Sequence, residues 1–327
     1  MTHPRIRLVG AVLLAVLLAG CSPDDPTNPT IEITQPTGEA ALARYVAIGN
    51  SLTAGFMDAG LCITGQTDSY PAQIAVQLGR SPDPSAETWF SQPLIALPGF
   101  GSSTPSAEGL VAGVLHWDGA GISVLDETSL ADVSSELLLA STVPTPYENL
   151  GVPGATTLDV TEALTFETSQ AGNNQFFDVI LRNPDFGDVS MLGQTIAQGP
   201  TLVTLWIGNN DILGGATSGE PVMGQNVTPA SLFSGLLGGI IATLETGVEA
   251  RFGYTPEIVV GNIPPILSAP YFVPKAQFDL ITTGGAVPYP TDEDDVAYVR
   301  FPGLQLADAE LTPLPASYTL TAAEAAV

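Results

Sequence analysis

Thr201-Leu202-Val203-Thr204-Leu205-Trp206-Ile207 is the stretch on which the fold turns. It is rich in β-branched and aromatic residues and Gly208 closes it, so it predicts a strand. Thr228 and Pro229 then open a helical pattern carrying Leu232, Phe233, Leu236, Leu237, Ile240, Ile241, Leu244 and Val248. That is a broad apolar stripe at helical spacing, ending before Gly253. Glu257 to Gly261 reads as another strand. Strand, amphipathic helix, strand make a βαβ unit, whose strands are parallel and whose crossover is right-handed. The fold class expected is α/β, three layers (α/β/α) with helices on both faces of a mostly parallel sheet.

Working outward, Tyr45-Val46-Ala47-Ile48, ended by Gly49, predicts a second buried strand. Pro71 opens a helix with Ile74 and Leu78 on one face. Thr156 and Asp159 fit a capping pattern, which starts a helix just after Gly154. Arg80 to about Pro146 holds Pro, Gly and Ser at short intervals and reads as an insertion of loops and short elements. The acidic run Asp292-Glu293-Asp294-Asp295 lacks the spacing and glycine of a calcium loop, so a solvated loop is expected.

The chain has 327 residues, with 34 acidic against 8 basic side chains and a formal net charge of −26. At 45% hydrophobic and 13% charged it is apolar enough to fold, while 34 glycines and 28 prolines imply many turns. An acidic surface without a basic patch repels phosphate backbones, which argues against nucleic acid as a partner. Only His3 and His116 could serve as imidazole ligands, and there is no C-x-x-C. Lys275 is the sole lysine and follows proline, and neither phosphate-binding glycine motif occurs. No metal or nucleotide cofactor is expected.

At the N-terminus, Arg5 and Arg7 precede an apolar run from Leu8 to Ala19 that is too short to span a bilayer permanently. Leu18-Ala19-Gly20-Cys21 resembles the bacterial lipobox, in which the cysteine is acylated and becomes the new N-terminus. Residues 1–20 are accordingly expected to be a lipoprotein signal peptide, rather than an ordinary one with a chance cysteine. Cys21 would tie the protein to a membrane of the bacterial cell envelope, and Ser22 favours the outer one. Residues 21–42 form a Pro/Thr-rich tether and 43–327 the folded domain. Cys62 then has no partner within the chain and is expected to be a small buried hydrophobe.

A serine nucleophile fits this inventory. The G-x-S-x-G elbow is missing, because Gly49-Asn50-Ser51-Leu52-Thr53 has no glycine two residues after the serine. Even so, Ser51 leaves a parallel strand at the sheet edge where α/β folds place ligands. Here the sequence resembles the SGNH, or GDSL-type, esterases and lipases. Gly49-Asn50-Ser51-Leu52 looks like their G-D-S-L block, with Asn50 where aspartate is usual. Asn149 to Thr156 is similar to the second block, whose glycine corresponds to Gly154, and Gly208-Asn209-Asn210-Asp211 matches the third, G-x-N-D. Gly261-Asn262-Ile263-Pro264-Pro265 resembles the stretch after the family's fourth strand.

The resemblance implies a flavodoxin-like fold and hydrolysis of carboxylic esters through an acyl-enzyme on Ser51. It also implies an oxyanion hole made by the backbone N–H of Ser51, the backbone N–H of Gly154 and the side-chain amide of Asn210, with Asp211 structural. The family's base comes from a late D-x-x-H block, yet no histidine follows His116, and nothing in the spacing of His116 links it to Ser51. Thr321-Ala322-Ala323-Glu324 announces a helix that stops within two turns. The expectation is a chain truncated before its last strand, helix and catalytic pair, and nearly inactive. The alternative is a non-catalytic surface lipoprotein that binds acylated glycans or lipids, and a structural envelope protein with chance motifs is a third reading. Acetylated polysaccharide, lysophospholipid and small lipid esters all stay open as substrates.

Overall fold

The computed structural model describes residues 35–323 apart from 103–104, 140, 219–220, 269–270, 301–302, 304–305 and 308–310. The signal, Cys21 and most of the tether lie outside the described residues. Four strands form the central sheet: β1 (Tyr45–Gly49), β2 (Asn149–Gly151), β3 (Leu202–Trp206) and β4 (Glu257–Val260). They are ordered β2-β1-β3-β4, and every neighbouring pair is parallel. The helices that matter here are α1 (Ser51–Ala54), α2 (Tyr70–Gln77), α3 (Phe176–Leu181), α4 (Met191–Gln198), α5 (Asn210–Ser218), α6 (Ala230–Phe252) and α7 (Lys275–Thr283). The strand order reverses between β1 and β3, and open α/β sheets bind ligands at the carboxyl ends beside such a switch point. Gly49 stands opposite both Gly151 and Trp206, so three strand ends finish flush there.

Side chains alternate across the sheet. Val46, Ile48, Leu150, Val203 and Leu205 join the larger core with residues of α3, α4 and α6. Tyr45, Ala47 and Leu202 form a second cluster with Ala75 of α2 and Phe90, flanked by Ile74 and Leu78 as the helical spacing predicts. Ser69 caps α2 by accepting the Ala72 N–H, and Pro71 occupies the first turn, where a missing N–H costs nothing. The second face is covered only as far as β3. On β4, Val259 is 57% exposed, and no further strand pairs with β4 among the described residues.

Several expectations need correction. The stripe of α6 is only partly used: Ile240, Leu244 and Val248 are buried, but Leu232 is 52% exposed. Periodicity marks which face can be buried, and the neighbours decide how much of it is. Thr228 does not cap this helix; Pro229 holds the cap position, and the Thr228 N–H donates to the Asp211 carbonyl. Thr156 and Asp159 exchange their capping bonds, but the helix begins only at Asp159 and runs four residues to Glu162.

Residues 80–146 contain short antiparallel pairs, Leu110–Ala112 with Glu127–Ser129 and Leu115–Trp117 with Ile122–Val124. Arg80 and Glu148, at the two ends of that stretch, form an ion pair at 2.8 Å, and the same carboxylate accepts the Ser91 N–H. Beyond β4, a three-stranded antiparallel sheet of β5 (Phe272–Pro274), β6 (Val296–Arg300) and β7 (Thr319–Thr321) is not foreseen by the sequence reading. Phe278 of α7 packs with Val273, Tyr289, Val299 and Leu314 in its small core. Thr321 ends β7, Ala322 and Ala323 make a turn, and the rest of the expected helix lies outside the described residues. In the acidic run Asp292, Asp294 and Asp295 are exposed, while Glu293 accepts a hydrogen bond from Thr319.

Two glycines fix where α1 sits. A Cβ on Gly151 would press on the backbone of Ala54 and come within 2.7 Å of the Thr53 carbonyl carbon, and one on Gly49 would lie 2.9 Å from the Thr53 Cβ. The helix bearing Ser51 therefore rests directly on the ends of β1 and β2. Gly151→Ala is expected to lower stability by about 1–3 kcal/mol through overpacking, read as a shifted urea midpoint at constant m-value.

Candidate active site

Ser51 begins α1, two residues after the end of β1, and is half-buried. Asn50, fully buried, sets its position from both sides. Its Oδ1 accepts the Leu52 N–H at 3.1 Å as the cap of α1, and its Nδ2 donates to Asn209 Oδ1 at 2.9 Å. The loop after β1 is thereby tied to the loop after β3. An aspartate could keep the cap and accept from a turned Asn209 amide, which explains why either residue suits this place.

Asn149 supplies a second tie, donating from Nδ2 to the Thr53 carbonyl at 3.1 Å while its Oδ1 accepts the Gly151 N–H at 3.0 Å. Below α1, the Thr53 and Tyr70 hydroxyls lie 3.0 Å apart. Burial pushes the Tyr70 phenol above its ordinary pKa, and hydrogen bonds to Thr53 and Thr204 partly offset this. It therefore stays protonated at neutral pH and can donate.

Gly154 has φ +81°, in the left-handed region, and a Cβ there would lie 2.9 Å from Asn174 Nδ2. Asn174 holds the turn by donating to the Pro153 carbonyl at 2.7 Å. Asn210 starts α5 after β3, and its Nδ2 donates to the Ala155 carbonyl at 2.8 Å, using one of two amide hydrogens. Asp211 is 3% exposed, and its Oδ2 accepts both the backbone N–H and the hydroxyl of Thr157 at 2.9 Å. This bonding links α5 to the turn after Gly154.

Ser51, Gly154 and Asn210 line one cavity of about 340 Å³. Phe56, Phe100 and Phe176 form part of its wall, with Phe176 edge-on to both other rings at centroid separations of 6.1 and 5.3 Å. Among the described residues, the backbone N–H groups of Ser51 and Gly154 have no acceptor, and the second Asn210 amide hydrogen has none either. Unpaired donors lining the same cavity as a hydroxyl are among the parts an oxyanion site requires. No titratable side chain lines this cavity among the described residues, and no side chain bonds the Ser51 hydroxyl. His116 sits on the Leu115–Trp117 strand, outside the lining, with Nδ1 buried and unpartnered among the described residues.

The sequence reading missed Asn149, Asn174 and the three phenylalanines. Asn149 lay in plain view inside the second block, but its bond reaches 96 residues back. No local pattern singled out Asn174.

A serine and unpaired donors lining one cavity beside a switch point are compatible with hydrolytic chemistry. The chain matches the GDSL-like lipase/acylhydrolase family over residues 45–300 and belongs to it. Membership implies a hydrolase with esterase or acylhydrolase activity on ester substrates. No curated protein and no solved structure matches the chain.

Asn50→Ala removes both the cap and the tie to Asn209 and is expected to cost about 1–2 kcal/mol. Asn50→Asp is expected to cost less. Urea denaturation of the two variants side by side measures the difference.

Proposed function

We propose that Ser51 is the nucleophile of a serine esterase, with the N–H groups of Ser51 and Gly154 and the side-chain amide of Asn210 as the oxyanion donors. The observation that supports this reading is that Ser51, Gly154 and Asn210 line one cavity and that these N–H groups find no acceptor among the described residues. In the first half-reaction Ser51 Oγ attacks the ester carbonyl, an Oγ–acyl bond forms, the acyl–alkoxy bond breaks, and the serine proton leaves with the alcohol. Water then cleaves the Oγ–acyl bond, returning the proton to Oγ and releasing the acid.

Both steps need a group to carry the proton. We assign none among the described residues, since no titratable side chain lines the cavity. A serine hydrolase without its base keeps only the rate that oxyanion stabilisation and binding provide. This favours, as a second reading, a lipoprotein that binds acylated glycans or lipids in the same cleft without turnover.

The two readings separate by chemical rescue. With imidazole supplied in the buffer and a short-chain nitrophenyl ester as acyl donor, intact-mass spectrometry is expected to find one acyl group on Ser51 and none in Ser51→Ala. Asn210→Ala is expected to slow this acylation by about a hundredfold. A folded chain that stays unacylated at every imidazole concentration would support the binder instead.

We further propose that Cys21 carries the lipid anchor and places the protein in the bacterial outer membrane. Mass spectrometry of the N-terminal peptide from envelope fractions is expected to show acylated Cys21 as the first residue.

A further inference from the structure

The cavity of Ser51 has a neighbour. A second, of about 390 Å³, adjoins it across Gly154, Ala171, Asn210 and Leu213, which line both. The two walls differ in kind. Three phenylalanines face the Ser51 side. Among the described residues the other side has no aromatic residue and is faced by Thr156, Gln170, Thr217, Gln225, Asn226 and Thr228, together with aliphatic Leu213, Val227 and Leu232. Ser51 itself lines only the aromatic cavity. An acyl chain gains most from burial against the phenylalanine wall, which leaves the other cavity, across the shared residues, to the alcohol.

We propose that the ligand of this paired site is an acyl chain well beyond acetyl joined to an uncharged, polyhydroxylated alcohol. Amides and hydroxyls interspersed with aliphatic carbon match the alternating hydroxyl and C–H surface of a polyol. A phosphorylated alcohol is excluded on charge. Among the described residues no lysine or arginine lines either cavity, Asp211 lines the polar one, and the whole chain carries −26. The direction in which the ester lies rests on the esterase reading of Ser51, whereas the ligand preference stands without turnover.

The test is calorimetric titration of the full chain with amides, which keep the carbonyl and resist hydrolysis. N-octanoylglucosamine and N-octanoyl-3-aminopropane-1,2-diol represent the sugar and glycerol sources of the polyol, octanamide the acyl part alone, and N-octanoylglucosamine 6-phosphate the charged alcohol. At least one polyol amide is expected to bind tenfold or more tightly than octanamide and than the phosphorylated probe, and whichever polyol binds better identifies the source. Gln170 and Gln225 are exposed, and Gln170 Oε1 accepts only the Thr156 hydroxyl, so an unchanged urea midpoint is expected for Gln170→Ala/Gln225→Ala and is checked first. The double variant is expected to weaken the preferred polyol amide about tenfold and leave octanamide unchanged. Phe56→Ala is expected to weaken every octanoyl probe. Equal binding of octanamide and both polyol amides, equal binding of the phosphorylated probe, or no binding at all overturns the proposal. Ser51→Ala is expected to keep the preference. Failed acylation of Ser51 with this preference intact would therefore sink the enzyme reading and not the ligand assignment.

Discussion

Backbone lying on backbone, where α1 meets the ends of β1 and β2, is the constraint on which the site depends. Gly49 and Gly151 have no side chain to hold the helix off, so Ser51 comes to rest within the crevice rather than above it. Once α1 is seated, Asn50 ties it to the loop after β3 and Asn149 ties it to β2. Both are neutral amides, able to donate and accept at once, and both are buried. At Asn149 the side chain must donate to the Thr53 carbonyl and accept the Gly151 N–H at once, which a carboxylate cannot do.

The neutrality extends outward. The donors around Ser51 are backbone N–H groups and a carboxamide, fixed by strand ends and by the Asn174 and Asp211 bonds. Such dipoles need little reorganisation as charge develops, which suits them to the oxyanion role proposed for them. Aromatic side chains wall one side, and their low polarity strengthens the same dipoles.

Much of this was legible in the sequence because it is local. The βαβ unit announces itself by period, and Ser51, Gly154 and Asn210 each follow within a few residues of a strand end. What escaped was tertiary. The bond of Asn149 to Thr53 and the meeting of Phe56, Phe100 and Phe176 join residues far apart in the chain, and no local spacing encodes them. The sheet of β5 to β7 escaped for another reason: strands of three to five residues, set among prolines and acidic runs, fall below the length at which alternation can be told from chance. In α6 the stripe was read correctly as apolar, yet burial at Leu232 was not its consequence, since covering a residue takes a neighbour.

The bare edge of β4 carries a colloidal consequence. Its outer rim offers peptide groups that pair with no further strand among the described residues, beside exposed Val259 and Val260, a template for edge-to-edge strand addition with Glu257 as a charged guard. Standing against this is the excess of 34 acidic over 8 basic side chains, which makes every copy repel every other. That repulsion reaches about 10 Å at 0.1 M salt and about 3 Å at 1 M. Dispersal of the protein is thus an electrostatic property of the whole chain, laid over a sheet whose own geometry favours self-association, and ionic strength sets the balance between them.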